Sequence, residues 1–174
     1  AVLRTSEGLG LLTAHVIDTG DPRRQLRDTF QPNKGVTKDA DKWLDVSRWE
    51  AVAPAVDHLK AQGFAIYAGA LDAKSVSLYD LDVQRPCAFV FGNEHRGISA
   101  ELRSRADALF TIPMRGFVES FNISVAAAIC LSHAVHARVA AGRDTDLDPA
   151  TVERLRAEYE RRSLRKFEEY LADA

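Results

Sequence analysis

The sequence is poor in the residues that staple, ligate and cleave. It holds two cysteines in 174 residues. Cys87 and Cys130 each sit inside an apolar run, without metal-ligand spacing. They read as buried thiols of a reducing compartment rather than as a disulfide. The histidines at 15, 58, 95, 133 and 136 show no HExxH-like spacing. His133 and His136 fall at i, i+3 with no acidic companion, so no metal is expected. Gly-x-Ser-x-Gly and a Walker lysine are both missing, which leaves nucleophilic hydrolysis with little support. Gly8-Leu9-Gly10 follows a helical stretch and not a strand, so it is no dinucleotide fingerprint. No apolar run approaches the roughly 20 residues of a membrane span, and no signal peptide is visible. A cytoplasmic protein is expected. Repeats and low-complexity segments are also lacking. The net charge of −2 gives no global basic field, so any nucleic-acid contact must come from local patches.

What is present is an ordinary soluble composition. The hydrophobic fraction of 46% is ample for a core, and 28% of residues are charged. The length suits one domain, or one domain and an appendage. The chain opens Ala1-Val2-Leu3-Arg4 without methionine and resembles the second half of a helix. An upstream segment is therefore expected.

The densest signal lies between Phe89 and Ala128. Cys87 to Phe91 is a bounded apolar run and reads as a buried strand. It stops at Gly92-Asn93-Glu94. Ala108 to Ile112 repeats the pattern, broken by Pro113-Met114-Arg115-Gly116. Glu119, Ser120 and Asn122 follow, and Ser124 to Val139 is a small-residue helix. Strands that end in glycine and then present polar groups build sites at the carboxyl edge of an open α/β sheet.

The rest of the chain alternates in the same way. Val2 to Leu9 reads as a short helix and Leu11 to Ile17 as a strand. Asp18 to Asp45 is a long polar stretch, of the kind that is usually functional or mobile. Asp45-Val46-Ser47 is expected to lead into a helix from Trp49 to Gln62, with Ala51, Ala55, Val56 and Leu59 on one face and Gly63 as its stop. Phe64 to Ala68 reads as a strand and Gly69-Ala70-Leu71-Asp72 as the loop at its end. Ser75 to Asp82 reads as irregular. Ser99 is placed to cap a helix running to Arg105. The alternation predicts an α/β fold with a mostly parallel sheet and helices on both faces. After Val139 a polar linker precedes a charged helix, with Asp148 as N-cap and Pro149 at the first helical position. Between Arg154 and Lys166 there are six basic and two acidic residues.

Each candidate also has a plain structural reading. Glu94 could cap the next helix or pair with Arg96. Ser120 and Asn122 could be N-caps. Arg4 could be a solvated helix residue, and the Arg154–Lys166 cluster a solvated face. The functional reading rests on two glycine-bearing loops reaching the same sheet edge together.

Three segments carry a resemblance. Phe91-Gly92-Asn93-Glu94-His95-Arg96-Gly97, Ile112-Pro113-Met114-Arg115-Gly116 and Glu119-Ser120-Phe121-Asn122-Ile123-Ser124-Val125-Ala126 resemble motifs two and three of the SpoU family. Its members are S-adenosylmethionine-dependent RNA ribose 2′-O-methyltransferases of the SPOUT superfamily. Leu3-Arg4-Thr5 with Gly8 resembles the end of motif one. Lys42-Trp43-Leu44-Asp45-Val46 and Tyr159-Glu160-Arg161-Arg162-Ser163 resemble the branch that methylates the D-loop guanosine of tRNA. Two departures are visible. The asparagine that usually precedes the motif-one arginine would lie before Ala1, and Phe121 and Ile123 replace the usual Leu and Val.

The resemblance implies a deep trefoil knot in the C-terminal part of a methyltransferase domain over residues 1–142, followed by a helical extension over 143–174. It implies a homodimer with sites built from both subunits. S-adenosylmethionine would lie against Gly69, Ala70, Leu71, Gly92, Ile112, Met114 and Phe121. Arg4, Glu94, Ser120 and Asn122 would be catalytic. Arg161, Arg162, Arg165 and Lys166 would bind RNA. tRNA is the implied substrate and partner, with 23S ribosomal RNA the alternative. A knotted RNA-binding protein without transfer activity, and a small-molecule α/β enzyme, are the readings from other classes.

Overall fold

The computed structural model of the chain describes residues 1–19, 43–93, 96–143, 145 and 147–172, leaving aside the side chains of 165–172. The long polar stretch falls almost wholly outside the described residues, as does Glu94. The chain divides into two compact units, Ala1–Ala141 and Gly142–Ala174.

The first unit begins with α1 (Val2–Gly8), which buries Leu3 and Ser6 and packs against a later helix, α4 (Ile123–Ala140). Gly10 leaves α1 at φ +79°, a left-handed conformation that glycine adopts at little cost. Strands β1 (Thr13–Ile17) and β2 (Asp45–Trp49) pair in parallel, from Thr13 opposite Asp45 to Ile17 opposite Trp49. This corrects the expected helical lead-in. Asp45, Ser47 and Arg48 are weak strand formers, and it is the main-chain ladder to β1 that makes them a strand. Helix α2 (Val52–Ala61) then starts three residues later than expected, with Ala51 as N-cap. Pro54 falls in its first turn, where no N–H partner is lost. Its buried face is Val52, Ala55, Val56 and Leu59, while Ala51 stays exposed.

The main sheet is built from β3 (Ala65–Gly69), β4 (Val76–Ser77), β5 (Cys87–Val90) and β6 (Ala108–Thr111). Their order is β4-β6-β3-β5, and every pair is parallel. The segment read as irregular thus contributes an edge strand, β4, followed by a single 3₁₀ turn over Leu78–Asp80. Helix α3 (Ala100–Arg105) forms where Ser99 was expected to cap it. The Ser99 hydroxyl accepts from the Leu102 N–H at 3.1 Å.

Strand β3 is central, and its alternation sorts the core into two layers. Ile66 and Ala68 face a cluster with Val52, Val56 and Leu59 of α2 and Leu102 of α3. Ala65 and Tyr67 face the other way, toward Phe110 and toward Cys130 and Ala134 of α4. Asp107 ties the edge of this arrangement. Its carboxylate accepts from the Ile66 N–H at 2.8 Å and from Lys60 Nζ at 2.8 Å.

Helix α4 qualifies one expectation. It is an 18-residue helix long and apolar enough to cross a membrane by length and composition alone. Here it packs one face against α1 and β5, and fully buries only Ala127, Cys130 and Ala134. Burial pushes the Cys130 thiol up to about 12, which makes it inert as a nucleophile or ligand at neutral pH. Burial also raises the Cys87 thiol.

The second unit is dominated by α5 (Pro149–Ala172). Asp148 caps it as expected, accepting from the Thr151 N–H at 3.0 Å.

Candidate functional site

Strands β5, β3 and β6 lie side by side and run the same way, so their carboxyl ends open on one edge. The loop after each is anchored locally. After β3, the Ala70 N–H donates to the Phe110 carbonyl at 3.0 Å and Ser75 Oγ donates to the Ala70 carbonyl at 2.8 Å. Asp72 then accepts from the Lys74 N–H at 2.9 Å, a side-chain turn that closes the loop. After β5, Asn93 and Gly97 exchange two backbone hydrogen bonds of 3.0 and 2.7 Å, with Gly97 at φ +63°. The chain folds back so tightly that a Cβ on Gly92 would stand 2.1 Å from the Gly97 carbonyl carbon. Only glycine fits there. After β6, Pro113 removes an N–H and stops the ladder.

Between these loops is a cavity of about 360 Å³. Gly69, Ala70 and Leu71 line it from β3, Gly92 from β5, and Ile112 and Met114 from β6. Ser120 and Phe121 line it from the loop before α4. One sheet edge thus gathers every residue expected to hold a cofactor. The walls are mostly apolar side chains and backbone, with a few polar groups, as in small-molecule sites of ~300–1,000 Å³.

The remaining predicted residues are placed differently. Asn122 does not line the cavity. It caps α4, its side-chain oxygen accepting from the Ser124 N–H at 2.9 Å. Arg4 is exposed on α1 and does not line the cavity. In α5, Arg161 is exposed and bonds the Ala157 carbonyl at 3.1 Å. Arg162 pairs with Glu158 and lies over the Tyr159 ring at 5.8 Å. The side chains of Arg165 and Lys166 are not described.

Several lining residues were not singled out from sequence, among them Ile98, Arg103 and Thr111. Arg103 is the informative case. Its Nη1 meets Asp72 Oδ2 at 2.5 Å, so an ion pair joins α3 to the loop after β3 at the cavity wall. The partners are 31 residues apart, and no spacing signal links them.

Among the described residues, no three His, Cys, Asp or Glu side chains converge as a metal site. His15 is instead part of a ring cluster. It accepts from Trp49 Nε1 at 3.0 Å through Nδ1 and sits 6.0 Å from His58. Burial, and then His58, lower its pKa.

Known proteins resemble this chain in sequence and fold. Residues 1–132 match the SpoU rRNA Methylase family. A tRNA (guanosine(18)-2′-O)-methyltransferase of Borreliella burgdorferi is 34% identical over 168 residues, covering 97% of this chain and 74% of that protein. The crystal structure of the A. aeolicus TrmH/SpoU tRNA modifying enzyme superposes with a TM-score of 0.79 at 26% identity, over 93% of this chain and 80% of that one. The SpoU methyltransferase AviRb from Streptomyces viridochromogenes, in complex with the cofactor AdoMet, shares the fold at a TM-score of 0.65. Its identity is 22%, over 80% of this chain and 55% of that one.

Proposed function

Because the chain belongs to the SpoU rRNA methylase family, we propose that it is an S-adenosylmethionine-dependent RNA ribose 2′-O-methyltransferase acting on a D-loop guanosine of tRNA. The observation that carries this reading is the cavity at the ends of β3, β5 and β6, lined by all seven residues expected to hold the cofactor. The name of the Borreliella relative supports the substrate. A tRNA substrate implies work in the cytoplasm.

The residues present suit the methyl donor. Leu71, Ile112 and Met114 offer apolar contact for an adenine, and the backbone of the three loops can bond its edge. When bound, S-adenosylmethionine supplies a methyl group already activated on a sulfonium. The protein has two remaining tasks: to align the ribose 2′-hydroxyl and to help its proton leave. Arg4 serves the second. A guanidinium does not deprotonate in a protein, so its role is to clamp the RNA phosphate and stabilise oxyanion character on the attacking oxygen. Ser120 and Asn122 hold the loop and the ribose, and Glu94 orients the arginine.

Arg4 reaches the site of a second copy in this reading. Its exposure, away from the cavity wall of its own chain, supports that arrangement. Helix α4 supports a homodimer as well. It is apolar around most of its circumference but buries only Ala127, Cys130 and Ala134 fully, and leaves Val125 and Val139 exposed. A helix apolar on all sides calls for a cover. The reading further includes a trefoil knot within a methyltransferase domain of residues 1–142. The extension 143–174 brings Arg161, Arg162, Arg165 and Lys166 to the RNA.

The test is methyl transfer from labelled S-adenosylmethionine to unmodified tRNA, with ribosomal RNA in parallel and the modified nucleotide mapped. A 2′-O-methylated guanosine in the D-loop is expected. Transfer only to ribosomal RNA would overturn the substrate, and no transfer at all would overturn the activity.

A further inference from the structure

A second cavity, of about 540 Å³, adjoins the first. Leu71, Thr111, Ile112, Met114 and Glu119 line both, so the two share a wall. The rest of its lining comes from the loop after β6, chiefly Pro113, Gly116, Phe117 and Val118. Two side chains in this loop stand out physically. Phe117 is completely exposed, at 107% of its reference area. Glu119 is exposed and makes no hydrogen bond or ion pair with the described residues.

We propose that this second cavity takes the guanine base of the target nucleotide, with Phe117 as its stacking platform and the Glu119 carboxylate as acceptor for its N1–H and N2–H groups. The inference rests on reading the first cavity as the methyl-donor site. If the 2′-hydroxyl of one nucleotide is to enter the first cavity, its base must lie within a few ångströms, and the adjoining cavity is the space available. RNA bases read by proteins are splayed out, stacked on aromatic rings and bonded along their Watson–Crick edges. An aromatic ring with no cover, at the rim of a cavity of small-molecule size, is suited to that stacking.

The carboxylate selects the base. Ionised Glu119 is an acceptor only, with two oxygens side by side. Guanine alone offers two adjacent donors on its Watson–Crick edge, N1–H and N2–H. Adenine presents N1 as an acceptor there, against the negative charge. Cytosine presents one donor beside an acceptor, and uracil one donor between two carbonyls. Glu119 thus distinguishes guanine from the other three by charge and donor pattern.

The test uses the full chain and two tRNA transcripts, carrying guanosine or inosine at the target position. Inosine keeps N1–H and lacks the N2 amino group. Wild-type protein should prefer guanosine by roughly tenfold in kcat/KM, the worth of one hydrogen bond to a charged acceptor. Glu119→Ala should bring that ratio close to one, because the residue that senses the amino group is gone. An unchanged ratio in Glu119→Ala would overturn the assignment, as would a loss of cofactor affinity by calorimetry that accounts for the whole loss of transfer. Phe117→Ala should raise KM for RNA, and Phe117→Trp should restore it. A Phe117→Ala protein that sediments as a smaller species than wild type would assign the ring to contact with a second copy and overturn the stacking role. Failure of the wild-type chain to methylate either transcript would instead remove the proposed function, and the base pocket with it.

Discussion

Gly92 and Gly97, five positions apart, approach each other closely through their backbones. A Cβ on Gly92 would stand 2.1 Å from the Gly97 carbonyl carbon and 2.4 Å from the Ile98 nitrogen. The obstacle is main chain on both sides, so no rotamer change relieves it. This contact holds the loop after β5 in the shape that forms one cavity wall. Gly92→Ala is therefore expected to destabilise the fold by about 1–3 kcal/mol through overpacking. It should also weaken binding of S-adenosylmethionine. Thermal unfolding and calorimetry check both; an unchanged Tm together with unchanged affinity would contradict the close approach.

Arg4 gives a cleaner separation of roles. It is exposed, so Arg4→Ala should leave Tm and cofactor affinity near wild type. Methyl transfer should fall by roughly 10²–10³-fold, the scale of removing one oxyanion donor. Arg4→Lys should recover only part of it, because the forked geometry is lost. Equal losses of transfer and cofactor binding would sink the role proposed for it.

The helical extension is tested through salt. Removing two cations with Arg161→Ala and Arg162→Ala should weaken tRNA binding and flatten the dependence of log K on log salt by roughly 1 to 2. Arg162 already pairs with Glu158, so the Arg161 change should carry the larger share. Filter binding over a salt series reads the slope, and an unaltered slope would leave α5 as a solvated or packing helix.

Asp107 sets an acid limit on the first unit. Burial disfavours its charge, but the hydrogen bonds from Lys60 and the Ile66 N–H together outweigh that and hold the carboxyl below its ordinary value of 3.8. A carboxyl depressed on folding stabilises the native state above its unfolded pKa, and the benefit is lost as pH falls through the folded value. Asp107→Asn should therefore lower stability at neutral pH and lessen the loss below about pH 4. Urea unfolding at pH 7 and pH 3 measures the difference. Parallel curves for the variant and wild type would contradict the assignment.

Much of the first unit was legible along the chain because its signals are local. Apolar runs bounded by glycine or proline predicted β3, β5 and β6 within a residue or two. Ser99 and Asp148 announced their helices through their own caps. The motif segments also indicated which loops would meet. The cavity brings those loops together at the ends of three adjacent parallel strands.

The misses were non-local. Strand β2 carries Asp, Ser and Arg, and is a strand only because β1 supplies its main-chain partners. The Asp72–Arg103 pair depends on α3 packing beside the loop after β3, and neither residue signals the other. That Glu119 has no hydrogen bond or ion pair among the described residues, and that Phe117 is fully exposed, are likewise properties of the fold. Sequence by itself determined β3, β5 and β6, the caps at Ser99 and Asp148, and the chemistry on each loop, because propensity and patterning act over a few neighbouring residues. Tertiary structure decided which loops share a wall and which distant charges pair, because those depend on strand order and packing between residues dozens of positions apart.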